Sequence, residues 1–204
     1  MMRSLLFACL LTLAGCAGVA PVSPDLGGDG QDPAVAWAER QQALSRLDHF
    51  RLVGRLSVVR GVESWFINVE WQQRGSDWLV VLSGPFGAGL RLSGAGGGPV
   101  VLENSEGRFH ADSAEQLLYQ HTGVVMPLTG LRYWMLGLPD PRLAVDGEEL
   151  DDRGRLRTLH QADWRIRLRR YVAINGLELP DKVFADQGEL KVRLIVDEWY
   201  LGLG

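Results

Sequence analysis

Residues 50–72 read Phe50-Arg-Leu-Val-Gly-Arg-Leu-Ser-Val-Val-Arg-Gly-Val-Glu-Ser-Trp-Phe-Ile-Asn-Val-Glu-Trp-Gln72, and their period is two. Phe50, Leu52, Gly54, Leu56 and Val58 alternate with Arg51, Val53, Arg55, Ser57 and Val59. After Arg60-Gly61, Trp65, Ile67, Val69 and Trp71 alternate with Phe66, Asn68, Glu70 and Gln72. Neighbouring side chains of an extended strand point to opposite faces, so the stretch predicts two adjacent antiparallel strands joined by a turn.

The same period runs downstream. Gln73 to Ser76 makes a turn, and Trp78, Val80 and Leu82 form one face of a third strand. Ser83-Gly-Pro-Phe-Gly-Ala-Gly89 bends into a fourth strand near Gly89 to Ser93. Gly94 to Gly98 is a permissive hairpin turn, followed by Pro99 to Glu103 and Arg108 to Ala111. Alternation returns through Arg155 to Gln161, Trp164 to Tyr171, Lys182 to Ala185 and Leu190 to Trp199. The predicted class is mainly β with some α: a strongly curved antiparallel sheet of about ten to eleven strands, crossed by a few helices.

Helical signals stand at two places. Asp32-Pro33 reads as an N-cap with Pro at the first helical position, opening a helix through about Asp48 that sets Trp37, Leu44 and Leu47 on one face. Asp112 followed by Glu115 resembles a capping box, with Gly123 as the C-terminal left-handed residue. A second short helix is expected from Leu128 to Leu136, stopped by Gly137. Val124-Val125-Met126-Pro127 between them is apolar too, richer in large side chains than a surface connection needs, so this segment is expected to cover something apolar. Glu148-Glu149 and Asp151-Asp152 read as solvated charge in turns.

The chain of 204 residues is 46% apolar and 23% charged, as one globular domain commonly is. Its net charge of -4 argues against nucleic acid as a partner. Residues 1–15 read as an export signal: Met1-Met2-Arg3 is positive, and Leu5 to Leu11 is apolar but too short to span a bilayer. Leu13-Ala14-Gly15-Cys16 looks like a bacterial lipobox, which implies cleavage before Cys16 and its acylation. Cys9 leaves with the signal, so no disulfide is expected. Several acyl chains anchor a protein stably without a spanning helix. Ala17, where Asp would favour inner-membrane retention, points to the outer membrane. Residues 16–32 are rich in Pro and Gly and read as a flexible tether with a reach of roughly 20–24 Å, and residues 33–204 as the folded domain.

Catalytic patterns are missing. His49, His110, His121 and His160 have no metal-ligand spacing, no Ser sits in a Gly-x-Ser-x-Gly elbow, and the glycine runs lack the Lys and Ser/Thr of a phosphate loop. No enzymatic activity, metal or cofactor is expected. Seven Trp and the alternating apolar positions suit binding of something apolar. Phe86, in the bend Pro85-Phe86-Gly87, either folds back onto the core or stands exposed at the tip.

Trp37, Gly54-Arg55-Leu56, Trp71-Gln72, Gly84-Pro85-Phe86-Gly87, Leu131-x-x-Trp134-x-x-Gly137-x-Pro139, Gln161-x-x-Trp164, Leu179-Pro180 and Trp199, in this order behind a lipobox, resemble the family of the outer-membrane lipoprotein receptor LolB. The resemblance covers nearly the whole mature chain. It implies an unclosed β-barrel with an α-helical lid over an apolar cavity. It implies a monomer, lipid-anchored through Cys16 and facing the periplasm, that accepts lipoproteins from the carrier LolA and inserts them into the inner leaflet of the outer membrane without nucleotide hydrolysis. On that reading Trp65, Ile67, Val69, Trp71, Val80 and Leu82 line the cavity for the cargo's acyl chains, and Leu131, Trp134 and Met135 contribute from the lid. The opposite face, with Phe66, Leu79 and Val81, is only moderately polar. The membrane-insertion loop of the family falls on Pro85, Phe86 and Gly87, with Phe86 where Leu is usual, and this favours the exposed position for Phe86. The other function open to such a chain is a structural outer-membrane lipoprotein whose apolar sheet docks a partner protein.

Overall fold

The computed structural model describes residues 32–84 and 87–202. Cys16, the tether, Pro85 and Phe86 lie outside the described residues. The alternating stretches become β1 (His49–Arg60), β2 (Glu63–Arg74), β3 (Asp77–Gly84), β4 (Gly87–Gly94), β5 (Val100–Asn104) and β6 (Gly107–Ala111) in the first half. In the second half they become β7 (Val145–Leu150), β8 (Leu156–Gln161), β9 (Trp164–Ile174), β10 (Leu177–Gln187) and β11 (Leu190–Leu201). Among the described residues three helices accompany them: α1 (Pro33–Ser45), α2 (Ala114–Thr122) and α3 (Leu128–Trp134).

All eleven strands form one antiparallel sheet in the order β6-β5-β4-β3-β2-β1-β11-β10-β9-β8-β7. β1 and β11 pair at the centre, and β6 and β7 are its two edges, so the sheet is unclosed. Period-two patterning sets the register. One row of partners runs Trp199, Leu52, Trp71, Val80, Leu92, Leu102 and Phe109 across seven strands, all apolar. A slip of one residue would turn such a row outward, and that penalty selects the pairing. Phe66, on the opposite face of β2, is 72% exposed, which decides the sidedness left open by the sequence.

The chain between the edge strands, residues 112–144, carries α2 and α3. α2 packs on β5 and β6, while α1 packs beside β7 at the other edge. Asp32 caps α1 by accepting from the Ala34 N–H at 2.8 Å.

Four expectations need correction. The N-cap of α2 is Ser113, whose Oγ accepts from the Gln116 N–H at 3.2 Å. Glu115 instead reaches the first turn of α3, accepting from the Thr129 N–H at 2.7 Å. A carboxylate prefers an unpaired helix-start N–H wherever one is within reach, and here the next helix presents one. α3 ends at Trp134, short of Leu136, with Gly137 left-handed at φ 79 beyond it. Glu148 and Glu149 belong to strand β7, not to a turn. β7 is an edge strand with no buried position, so it carries no period-two apolar signal, and Glu148 accepts from Trp37 Nε1 at 3.1 Å. β10 also starts earlier than expected, at Leu177, and includes Pro180.

Gly54 tests the central seam. It sits at the β-bulge between β1 and β11, where an added Cβ would lie 2.4 Å from the Ile195 carbonyl oxygen. Gly54→Val is expected to lower unfolding free energy by more than about 2 kcal/mol in urea titration, because backbone must move to admit it. Gly75→Ala, left-handed at φ 58 but in open space, is expected to cost only about 1 kcal/mol.

Candidate functional site

The inner face of the sheet and the two connecting helices share one apolar core. Ile67, Val69 and Trp71 of β2 stand opposite Leu56, Gly54 and Leu52 of β1, and Val80 and Leu82 of β3 stand opposite Trp71 and Val69. All five of these candidate cavity residues are buried, as are Leu131, Trp134 and Met135 from the other side. Trp65 is partly buried at the margin of the same cluster.

A polar group adds to this packing. Gln161, at the end of β8, is fully buried. Its Oε1 accepts from Trp134 Nε1 at 3.1 Å and from the Asp140 N–H at 2.9 Å. Its Nε2 donates to the Asp140 carbonyl at 2.9 Å and the Leu143 carbonyl at 3.1 Å. Every donor and both acceptor sites of the amide are thus used. The Trp134 ring also lies 5.6 Å from the Trp164 ring. The separated motifs Leu131-x-x-Trp134-x-x-Gly137-x-Pro139 and Gln161-x-x-Trp164 therefore meet in space as one clasp between the helical connection and the sheet.

Asp140 extends the clasp to the surface. Its carboxylate accepts from Arg142 Nε at 2.9 Å, Arg142 Nη2 at 2.6 Å and the Arg142 N–H at 3.0 Å. Burial works to raise its pKa, but the Arg142 guanidinium and backbone N–H outweigh burial and hold it below the ordinary carboxylate value.

A pocket of about 310 Å³ opens where the helices begin. Trp71, Trp78, Val100 and Leu128 form its apolar wall, and Asp112, Ser113, Glu115, Thr129, Arg132 and Arg142 surround it. The Trp71 and Trp78 rings lie 6.2 Å apart. Trp71 is the one candidate cavity residue that lines this pocket; Ile67, Val69, Val80, Leu82, Leu131, Trp134 and Met135 are packed in the core and Trp65 stands at its margin. Trp78 was legible from its place in the Trp78, Val80, Leu82 face, whereas Arg132 and Arg142 had no signal, since a cation in a helical segment ordinarily faces water.

Gly84 and Gly87 pair between β3 and β4, which run antiparallel as expected. Among the described residues no group of three or more His, Cys, Asp or Glu could hold a metal ion, and no helix is long and apolar enough to cross a membrane.

An unclosed antiparallel sheet whose apolar face is covered by a polar-clasped helical connection is the architecture of a lidded binding protein for apolar material. Residues 48–199 match the model of the family described as outer membrane lipoprotein LolB. The chain is 38% identical to the outer-membrane lipoprotein LolB of Nitrosococcus oceani, over 98% of this chain and 97% of that one. It is 31% identical to that of Cellvibrio japonicus over the full length of both. A LolA superfamily protein from Nitrosomonas europaea shares the fold with a TM-score of 0.55 at 9% identity, covering 82% of this chain and 92% of that one. The chain belongs to the LolB family. It is an outer-membrane lipoprotein that serves lipoprotein localisation.

Gln161→Leu keeps the volume but strands Trp134 Nε1 and three backbone groups. It is expected to cost at least about 3 kcal/mol in denaturant unfolding, with faster hydrogen exchange across residues 128–143 than elsewhere. The clasp also has an acid side. Because the folded Asp140 carboxyl titrates below its unfolded value of about 3.9, its stabilisation is present above that value and is lost as pH falls through the folded one. Melting temperature is therefore expected to fall below about pH 4, and Arg142→Gln to flatten that acid slope.

Proposed function

We propose that this chain accepts the acyl chains of lipoproteins from the carrier LolA and releases them into the inner leaflet of the outer membrane. The observation that carries the reading is the continuous apolar row on the inner sheet face beneath the Gln161-clasped helices. Acyl chains lose about 0.8 kcal/mol of favourable burial for each CH₂ exposed to water, so cargo crosses an aqueous space only if its chains stay covered. The transfer runs downhill from carrier to receptor to bilayer and needs no bond chemistry from this chain.

The described conformation is the closed one. A pocket of about 310 Å³ is at the lower end of the range for small-molecule sites, and the helices' own Leu117, Leu118, Leu131, Trp134 and Met135 fill the interior. Cargo must displace them. Trp71 and Trp78 at the pocket wall receive the first methylenes, and the chains then take the place of the helices against Trp65, Ile67, Val69, Val80 and Leu82. The interior offers dispersion contacts and little hydrogen bonding, as suits cargo alike only in its lipid. Cys16 anchors the body near the leaflet, the tether lets it tilt, and Phe86 at the tip of the β3–β4 hairpin contacts the membrane, where an aromatic side chain is stable at the interface.

A fluorescent fatty acid is expected to bind the processed chain carrying Cys16→Ala saturably and to be displaced by a lipoprotein. Absence of saturable binding would instead point to a sheet that docks a partner protein. On this reading Phe86→Glu is expected to keep this capture within about twofold, while slowing delivery from receptor to liposomes at least about tenfold, or by more than about 1.4 kcal/mol of barrier. Unchanged delivery would remove Phe86 from the membrane step.

A further inference from the structure

The outer face of β9, β10, β11 and β1 is basic on a chain whose net charge is -4. Strand register arranges it in three rows. The first runs Arg165, Asp186, Lys191 and Val59; the second Arg167, Phe184, Arg193 and Ser57; the third Arg169, Lys182, Ile195 and Arg55. Two carboxylates answer these cations. Asp186 accepts from Arg167 at 2.8 Å and Arg193 at 2.6 Å, and Asp197 pairs with Arg55 at 2.7 Å. Among the described residues Arg165, Arg169, Lys182 and Lys191 have no acid partner. The acids Asp163 and Glu189 at this end lie in the turns beyond the rows.

Apolar groups continue the same surface. Ser57 pairs with Phe66, so the second row ends on that 72% exposed ring, and Val62 in the β1–β2 turn is fully exposed. Gly84, the last residue before Pro85-Phe86, lies against the Phe66 backbone, where an added Cβ would be 2.9 Å from the Phe66 carbonyl oxygen. Cations that fade into exposed apolar side chains at one margin match a lipid interface, where headgroup phosphates meet acyl chains. A protein partner would need a complementary flat acidic surface, and would bury no pocket here.

We infer that this face is a second membrane contact, which lays the β9–β10–β11–β1 surface on anionic phospholipid headgroups and sets Phe66 and Val62 at the interface. Anchored proteins can otherwise take any tilt; this contact selects one. The inference rests on the outer-membrane location and not on acyl-chain binding, so the two can fail separately.

The test uses the processed chain carrying Cys16→Ala and vesicles of phosphatidylcholine with or without phosphatidylglycerol, read by co-sedimentation. Binding is expected to be stronger to the phosphatidylglycerol vesicles and to lose that preference at high salt, where charge is screened within a few ångströms. Arg169→Gln and Lys182→Gln are each expected to weaken it about fivefold, the equivalent of about 1 kcal/mol per cation near an anionic surface. Phe66→Ser is expected to weaken binding to both vesicle types, and fatty-acid capture to stay unchanged in all three variants. Equal binding to the two vesicle types, or parental binding by the charge variants, overturns the inference. So does normal vesicle binding with impaired transfer from the carrier, which would assign the face to an acidic protein. Charge-dependent vesicle binding without fatty-acid capture would uphold this contact and sink the acyl-binding reading.

Discussion

Gln161 is wholly buried, and the four hydrogen bonds of its amide all go to the chain that links the two edges of the sheet. An unclosed sheet with an apolar inner face has to be covered, and here the cover is held both by apolar packing and by this one polar side chain. The two differ in kind. Packing is non-directional and tolerates sliding, whereas a buried amide with four fixed partners permits one position. Its net contribution is modest when every partner is in place and its loss is costly when one is stranded. That combination fixes one position for the cover on the sheet.

The polar network continues outward from the clasp. Asp140 receives the Arg142 guanidinium and backbone beyond the end of α3, and Glu115 ties the start of α3 to α2, so the short helix is held by a carboxylate at its start and by the Gln161 amide at Trp134. At the other edge Glu178 on β10 draws together Arg40 of α1 and Arg155 beside β8, at 2.8 and 3.1 Å. Burial raises the Glu178 carboxyl and these guanidiniums lower it further, leaving it below its ordinary value. The helices are thus attached to the sheet by charge and amide contacts at their margins while their faces rest on an apolar surface.

The sheet faces the other way as well. Its inner side is a seven-strand apolar row, and its outer side gathers cations that the chain's overall acidity hides. Both arise from the same alternation, because in a strand whatever does not point in must point out. One patterned sheet thus supplies both an apolar inner face and a basic outer one.

Period two in Phe50 to Gln72 by itself determined two adjacent antiparallel strands and which residues share a face, while the structure decided which of the two faces leaves water, because Phe66, Leu79 and Val81 make the other face only moderately polar. The lipobox and the order of scattered motifs carried the family, which the comparisons bear out. Edge strand β7 was not legible, because an edge exposed on both faces leaves no apolar rhythm, and Ser113 was masked as a cap by the neighbouring Asp112. Only the tertiary structure decided that Trp134 and Gln161, 27 residues apart, share a hydrogen bond. The same holds for the joining of Arg165, Arg193 and Arg55 into one surface. Such contacts depend on distance in space between strands far apart in the chain, and local pattern records only which way each side chain points.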